Sequence, residues 1–597
     1  MILENISSEN KKILFIFILT ILFSMLINVF HPYLWGPDEP RVAEIAREAF
    51  VSGNYITPHL CGRPFVEKPP LYFDMIAWSY AITGEATPGV ARLISALMGC
   101  IMLGVAFWLG YCWGGLRRAA LAVGLLIMMP QFYRTTHFIV SDIAVGAFCA
   151  LALGLFMYYA YWSKDKNIKW PLYLFYLVSA AAFLSKGLVG IFHIGIVIGV
   201  FILLRRRWDL LKRMLSPLAM LVFLIPVAIW VYLFYREGGV YFLHEHFINN
   251  TIGRFLHIKF EMAGSQLAFT DIGNSSPWYF YLKRMPVMFG FSFVFLPLIF
   301  WDGLRKLNLL PRSWVVYGDD LKKSMQSWKT FVIALLLLIL NGKKKELGDK
   351  QKDIVLILLL WTFLPIIVLS FSSIKEVTYI LPSYVAIAIM LGGWLDERLN
   401  TAESLFKSLV LFALIVLPIV IASFTLAVLS VKIYLITVIV WMILCLILAI
   451  ISIFKLRVVQ ATFIVFGMLL CMIIMINTPE VMLTTRLSRK CHIDLAKYVF
   501  DRVRDKQLFV YGGCETIRSS MPFYGKRPVP SIGGHAILKK LLSSGENNFV
   551  IIIDEHLKKM REDKELSRIL DNCKIELLPF PNLSDEYSLI SAPGAKR

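Results

Sequence analysis

Apolar residues along this chain gather in long blocks divided by short polar breaks, not in the three-and-four spacing of a helix with one wet face. The blocks lie near 12–30, 89–112, 119–131, 138–161, 170–187, 188–204, 214–235, 285–301, 353–372, 378–396, 404–429, 432–454 and 459–478. Most reach roughly 17–25 residues, the length a helix needs to cross the hydrocarbon of a bilayer. Lipid offers unpaired backbone groups no partners, so each crossing must be helical. The pattern predicts an all-α polytopic membrane protein of about 13 transmembrane helices. Block 119–131 is short, and only the Lys186-Gly187 break separates two others. The apolar patch 331–340 is too short to span and reads as interfacial or loop. The first block follows Lys11 and Lys12 and has no small-x-small site before His31, so it is expected as a retained span, not a cleaved leader.

The pattern changes near 480. LFVYGG (508–513) and NFVIIID (548–554) read as short buried strands, whereas HAILKKLLSSG and EHLKKMREDKELSRILDNC read as amphipathic helices. A transmembrane region over 1–480 is therefore expected to be followed by an extracytoplasmic α/β domain over 481–597. That domain has no glycine-rich phosphate loop opening a helix, so no chemistry is assigned to it.

Composition supports this reading: 58% of residues are hydrophobic and only 17% charged, too apolar for a soluble enzyme of 597 residues. The net charge of +20 calls for no nucleic-acid partner, because membrane proteins collect Lys and Arg in cytoplasmic loops. With the N-terminus inside, Arg117-Arg118, Lys164/Lys166/Lys169, Arg205–Arg207 with Lys212-Arg213, Lys343–Lys345 and Lys455/Arg457 all fall on the cytoplasmic side. Loops 31–88 and 236–284 and the C-terminal tail then lie outside. The nine cysteines contain no CxxC pair; Cys491, Cys514 and Cys573 leave room for one disulfide in the tail.

The outer loops nevertheless keep basic residues: Arg41, Arg47, Arg63 and Lys68 in one, Arg254, Lys259, Lys283 and Arg284 in the other. Guanidinium and ammonium groups retained on the disfavoured side suit an anionic ligand, phosphate above all. The alternative is pairing with local acids or lipid head groups, as for Arg47 with Glu44 or Glu48. WGPDEPRVAEIAREAF (35–50) reads as a helix lying on the membrane surface, with a stripe of Val42, Ile45, Ala46, Ala49 and Phe50. Asp38 suits its N-cap, and Pro40 its first turn. Asp38 and Glu39 also suit an interfacial base that accepts a proton. Asp142, near the outer end of an apolar block, is a second acid at similar depth; it either shares a cavity with Asp38 or sits at the interface independently. In EKPPLYF (67–73) two prolines hold Glu67 and Lys68 rigidly before Tyr72. Lys375 and Tyr379 occupy a short outer turn. His244, Glu245 and His246 offer an H-x-H without a third ligand at diagnostic spacing, which favours a polar loop over a metal site.

In order along the chain, WGPDEPRVAEIAREAFVSGNYITPHL, EKPPLYF, VSDIAV, EHF…GRF, SSPWYFYLKRMP and FSSIKEVTYILPSY resemble the membrane glycosyltransferases of the GT-C class. They resemble above all the branch of bacterial 4-amino-4-deoxy-L-arabinose (lipid A) transferases, related to protein O-mannosyltransferases. The resemblance covers residues 1 to about 390 and extends to the whole architecture, and its strength lies in the order of the motifs. It implies an inverting enzyme of the bacterial inner membrane. A sugar on polyprenyl (undecaprenyl) phosphate would pass to a lipid or glycan acceptor at the outer face, aminoarabinose to lipid A being the best match. A mannosyl or hexosyl transferase acting on polysaccharide, lipid or protein is the alternative. A lipid-linked anion flippase is the alternative of another class, but it predicts repeats that the sequence lacks. By the same match Asp38 is the leading catalytic carboxylate, with Asp142 and Glu39 beside it. Lys68 and Arg41 hold the lipid phosphate, joined by Arg254, Lys375, Tyr379 and Tyr72. Glu67 and His246 stand where this branch has been associated with a divalent metal such as zinc; the resemblance admits that metal without requiring it. Pro40 and the long spacing between His246 and Arg254 depart from the pattern, so the class is better specified than the sugar or acceptor.

Overall fold

The computed structural model describes residues 29–163, 169–260, 275–290, 292–307, 350–401, 492–512, 515–544, 547–580 and 585–592, with isolated positions at 18–26, 309 and 583. The spans expected at 404–429, 432–454 and 459–478, the patch 331–340, the 480/481 boundary, and Cys491 and Cys514 lie outside those residues. Cys573 carries a free thiol.

Two short helices open the described region, α1 (Asp38–Ser52) and α2 (Leu71–Thr83), joined through the two-residue strands β1 (His59–Leu60) and β2 (Arg63–Pro64). Next come α3 (Pro88–Gly114), α4 (Leu116–Ile127), α5 (Pro130–Thr136), α6 (Asp142–Tyr161), α7 (Trp170–Lys186), α8 (Leu188–Arg205) and α9 (Trp208–Met214). After them run α10 (Pro217–Leu243), a π-helical segment (His244–Gly253), α11 (Phe280–Phe289), α12 (Ser292–Lys306), α13 (Lys350–Ser370), a 3₁₀ turn (Val377–Ile380) and α14 (Ser383–Thr401). Among the described residues, five helical stretches are long and apolar enough to cross a membrane: Pro88–Gly114, Asp142–Tyr161, Leu188–Arg205, Pro217–Leu256 and Lys350–Ser370. The block expected at 119–131 is a 12-residue helix that Pro130 cuts short by opening α5.

Small residues let the bundle close. A side chain at Gly392 would meet the Ala122 backbone at 2.8 Å, so α14 and α4 touch backbone to backbone. Charged pairs tie the ends of these helices together on one face: Arg117 and Arg118 with Asp396, and Arg205 and Arg207 with Asp353.

The C-terminal unit contains α15 (Ile493–Val503), β3 (Gln507–Tyr511), α16 (Glu515–Gly525), β4 (Ser531–Ile532), α17 (His535–Ser543) and β5 (Asn548–Ile553). It continues with α18 (Asp554–Met560), α19 (Lys564–Asp571), β6 (Lys574–Leu577) and β7 (Tyr587–Ser591). Its sheet runs β4-β3-β5-β7-β6, parallel across the first three strands and antiparallel across the last three. An apolar cluster covers each face, which explains why VIII in β5 reads as a continuous hydrophobic run. Helix α16 packs on α1 and inserts Phe523 into the core of the bundle.

That contact corrects one expectation. The apolar stripe of α1 faces protein, not lipid: the helix packs against α2 and α16, with Val42, Ile45, Ala46 and Ala49 buried. The Arg47–Glu44 pair forms at 2.7 Å in this buried setting, where desolvation pushes the Glu44 carboxyl up to about 8.

Candidate active site

Asp38 is the first residue of α1, not its cap: Pro37 holds the cap position, and no side chain caps this end. Its carboxylate instead reaches along the first turn to Arg41 and remains 55% exposed, open to a cavity of about 1480 Å3. That volume exceeds the roughly 300–1,000 Å3 of an ordinary small-molecule pocket. Nine Lys/Arg side chains line it against five Asp/Glu, so the hollow favours anions.

Lys68 lines the same cavity. Pro69 and Pro70 are buried and lead directly into α2, which fixes the segment that carries it. No polar partner lies within hydrogen-bond distance of its ammonium among the described residues. Burial, and then the positive charges of Arg41 and Lys186, push its pKa down to about 8. It is a buried ammonium at the cavity wall without a hydrogen-bonded carboxylate of its own. Arg254 lines the same cavity and donates to Glu67 at 2.8 Å.

Asp142 occupies the first position of α6 and pairs with Lys186, the last residue of α7. The Lys186 ammonium also lies 4.2 Å from the centre of the Tyr379 ring. Both residues line the cavity, and Gly187, at φ +66°, turns the chain directly after Lys186, between α7 and α8. Asp38, Arg41, Lys68, Asp142, Arg254, Lys375 and Tyr379 are all brought to this one hollow.

Three predicted site residues stand elsewhere or are otherwise engaged. Glu39 is fully buried and accepts hydrogen bonds from Trp35 N (2.7 Å), Ile139 N (3.0 Å), and Arg92 Nε and Nη2 (2.9 and 2.8 Å). With its oxygens so occupied it is an internal anchor, not a base. Tyr72 is also fully buried, hydrogen-bonded to Ser95 at 2.7 Å and away from the cavity lining. Lys375 lines the cavity, but its ammonium donates to the Ser276 carbonyl at 2.7 Å and to that of Ser372, so it braces the turn.

The metal expectation fits poorly. His246 lies in the π-helical segment, not a loop; its Nδ1 bonds the Val66 carbonyl at 3.0 Å, and its ring packs edge-on to Trp230. Glu67 is committed to Arg254, and no group of three His, Cys, Asp or Glu among the described residues is arranged around a common point. No chemical step is routed through a metal.

Some lining residues escaped sequence reasoning. Lys186 drew notice only as a break between blocks, although a charge within apolar sequence is the same signal that singled out Asp142. Arg134 sits on the short α5 with its guanidinium 5.1 Å from the Phe138 ring. Glu515 and Arg518 come from α16, with Glu515 474 residues beyond its partner Arg41, and no local pattern marks them.

Residues 67–232 match a family described as dolichyl-phosphate-mannose-protein mannosyltransferase. An undecaprenyl phosphate-alpha-4-amino-4-deoxy-L-arabinose arabinosyl transferase of Pseudomonas savastanoi pv. phaseolicola is 28% identical over 375 residues, 62% of this chain and 58% of the relative. One of Pseudomonas aeruginosa PAO1 is 27% identical over 390 residues, 62% of this chain and 57% of the relative. The chain thus spans less than two thirds of the length of these relatives. The crystal structure of ArnT from Cupriavidus metallidurans in the apo state superposes with a TM-score of 0.74 at 18% identity, over 98% of this chain and 99% of that one. The same protein bound to undecaprenyl phosphate gives 0.72 at 19% identity, over 97% of each chain. The likeness establishes a shared fold, that of the polytopic GT-C membrane proteins.

Proposed function

We propose that this GT-C chain, a relative of the aminoarabinose transferases, is an inverting glycosyltransferase that takes one sugar from polyprenyl phosphate and delivers it to an anionic lipid or glycan acceptor. Aminoarabinose as the sugar and lipid A as the acceptor are the specific pair we favour, at the outer face of a bacterial inner membrane.

One observation carries the reading: an open carboxylate, Asp38, and an unpaired ammonium, Lys68, share one large cation-rich hollow. The acceptor oxygen attacks the anomeric carbon, the bond from that carbon to the phosphate oxygen breaks, and configuration inverts. Negative charge grows on the departing phosphate. Lys68 and Arg254 are cations held at the cavity wall that would stabilise it without reorganising. Asp38 would take the proton of an acceptor hydroxyl, or orient an acceptor phosphate that is already ionised. Asp142 would act through Lys186, holding that ammonium in the hollow.

Purified protein given polyprenyl-phosphate sugar and acceptor should release polyprenyl phosphate. Asp38→Asn should abolish turnover while keeping donor binding, and Lys68→Ala should weaken donor binding. Near-normal turnover in Asp38→Asn would sink the assignment.

A further inference from the structure

The candidate active-site cavity is lined by several segments of the helical bundle and by two residues of the C-terminal unit, Glu515 and Arg518. Arg41 stands where they meet. Its Nη2 binds Asp38, whereas its Nη1 binds both carboxylate oxygens of Glu515, at 2.8 and 2.9 Å. Glu515 is the first residue of α16 in the C-terminal unit, and both it and Arg518, one turn on, line the cavity. Arg41 Nε is buried and has no hydrogen-bond partner among the described residues, so the guanidinium's hydrogen bonds there all go to these two acids, while its face lies 5.9 Å from the centre of the Phe65 ring. The α16 side is firmly seated: the Tyr524 hydroxyl bonds Leu34 N at 2.8 Å, and Arg63 Nη2 donates to the Ser531 carbonyl at 3.0 Å.

We infer that Glu515 is a positioning residue for the transfer reaction. It draws the Arg41 guanidinium away from full pairing with Asp38, so the C-terminal unit completes the catalytic wall and is not an appendage. Two carboxylates sharing one guanidinium each receive part of its charge and of its donors. If the Glu515 charge is removed, Arg41 turns its whole field onto Asp38 and the donor phosphate. The acceptor-facing carboxylate is then clamped, and the cavity becomes more positive by one unit. Donor binding tightens while turnover slows, two effects of opposite sense. A unit that merely failed to dock would weaken both.

This inference rests on the transferase reading, and the experiment separates the two. Glu515→Gln keeps shape and loses charge; it should lower kcat about ten- to a hundredfold while lowering, not raising, the Kd for polyprenyl phosphate. Glu515→Asp keeps the charge and should restore part of kcat. Lys526→Ala breaks an exposed pair with Glu85 that also links the unit to the bundle, and should leave both constants unchanged. If Asp38→Asn is inactive yet Glu515→Gln turns over normally, or binds donor more weakly, the positioning role is wrong and the transferase reading survives. If Asp38→Asn is active, the transferase reading itself falls.

Discussion

Asp38 and Glu39 are sequence neighbours with the same functional group, and packing gives them opposite fates. Both read as interfacial acids at the start of a helix, and nothing local ranks one above the other. The difference is Arg92, 53 residues on, whose guanidinium is fully buried against Glu39 and also donates to the carbonyls of His31 and Tyr33. Glu39→Gln would leave that buried cation uncompensated, which typically costs about 3–5 kcal/mol. Its thermal unfolding temperature in detergent should drop clearly, whereas Asp38→Asn, at an open position, should unfold like the parent. Lys68 drew notice in the sequence as a basic residue held by two prolines, and the structure places it at the cavity. Its depressed pKa gives a pH dependence of definite sign. The ammonium is present below about 8 and lost above it, while the lipid phosphate, with a second ionisation near 6, is already doubly charged. Polyprenyl-phosphate affinity should therefore weaken as pH rises through that region, by at most about tenfold per unit. Lys68→Arg should bind without this decline, because a guanidinium stays charged. A flat profile for the parent protein would contradict the assignment.

At the scale of elements, apolar block length was a reliable guide. The blocks at 89–112, 138–161, 170–187 and 188–204 correspond to α3, α6, α7 and α8 within a few residues. Block length reveals spans but not what their ends do. The α7–α8 break looked like a weak division between two spans; it is in fact the device that aims Lys186 at Asp142. Gly187 adopts φ +66° and ψ −144°, and a side chain there would come within 3.0 Å of His246 Nε2. Gly187→Ala should therefore incur about 1–3 kcal/mol of backbone strain and displace Lys186, lowering turnover as well as stability. Gly53, the C-cap of α1 at φ +73°, has open space around its Cβ position. Gly53→Ala should cost about 1–2 kcal/mol of left-handed backbone strain and leave specific activity intact. Equal activity losses in the two variants would show that the break does not position Lys186.

Across the whole molecule, the charged clusters divide between two faces. Asp38, Lys68, Asp142, Lys186 and Lys375 sit at the cavity ends of their segments, whereas Arg117, Arg118, Arg205 and Arg207 sit at the far ends of α3, α4 and α8, beside Asp353 and Asp396. The sequence revealed this alternation because charge bias accumulates over many loops. It could not reveal that the C-terminal unit returns to line the cavity, because contacts such as Arg41–Glu515 join segments far apart in the chain and leave no local pattern. The usual charge bias of short loops would put the basic face in the cytoplasm, and we propose on that ground that the cavity and the C-terminal unit face outward. The orientation is testable with single thiols in a background free of reactive native cysteines. Glu85→Cys lies in the exposed turn before α3 on the cavity side, and Asp209→Cys lies in α9, one turn beyond the Arg205–Arg207 cluster. In spheroplasts, a membrane-impermeant maleimide should label the thiol at 85 at once and the thiol at 209 only after the membrane is opened. The reverse pattern would put the cavity in the cytoplasm, where nucleotide sugars are made and a polyprenyl-phosphate donor would confer no advantage, and the proposed reaction would have to be abandoned.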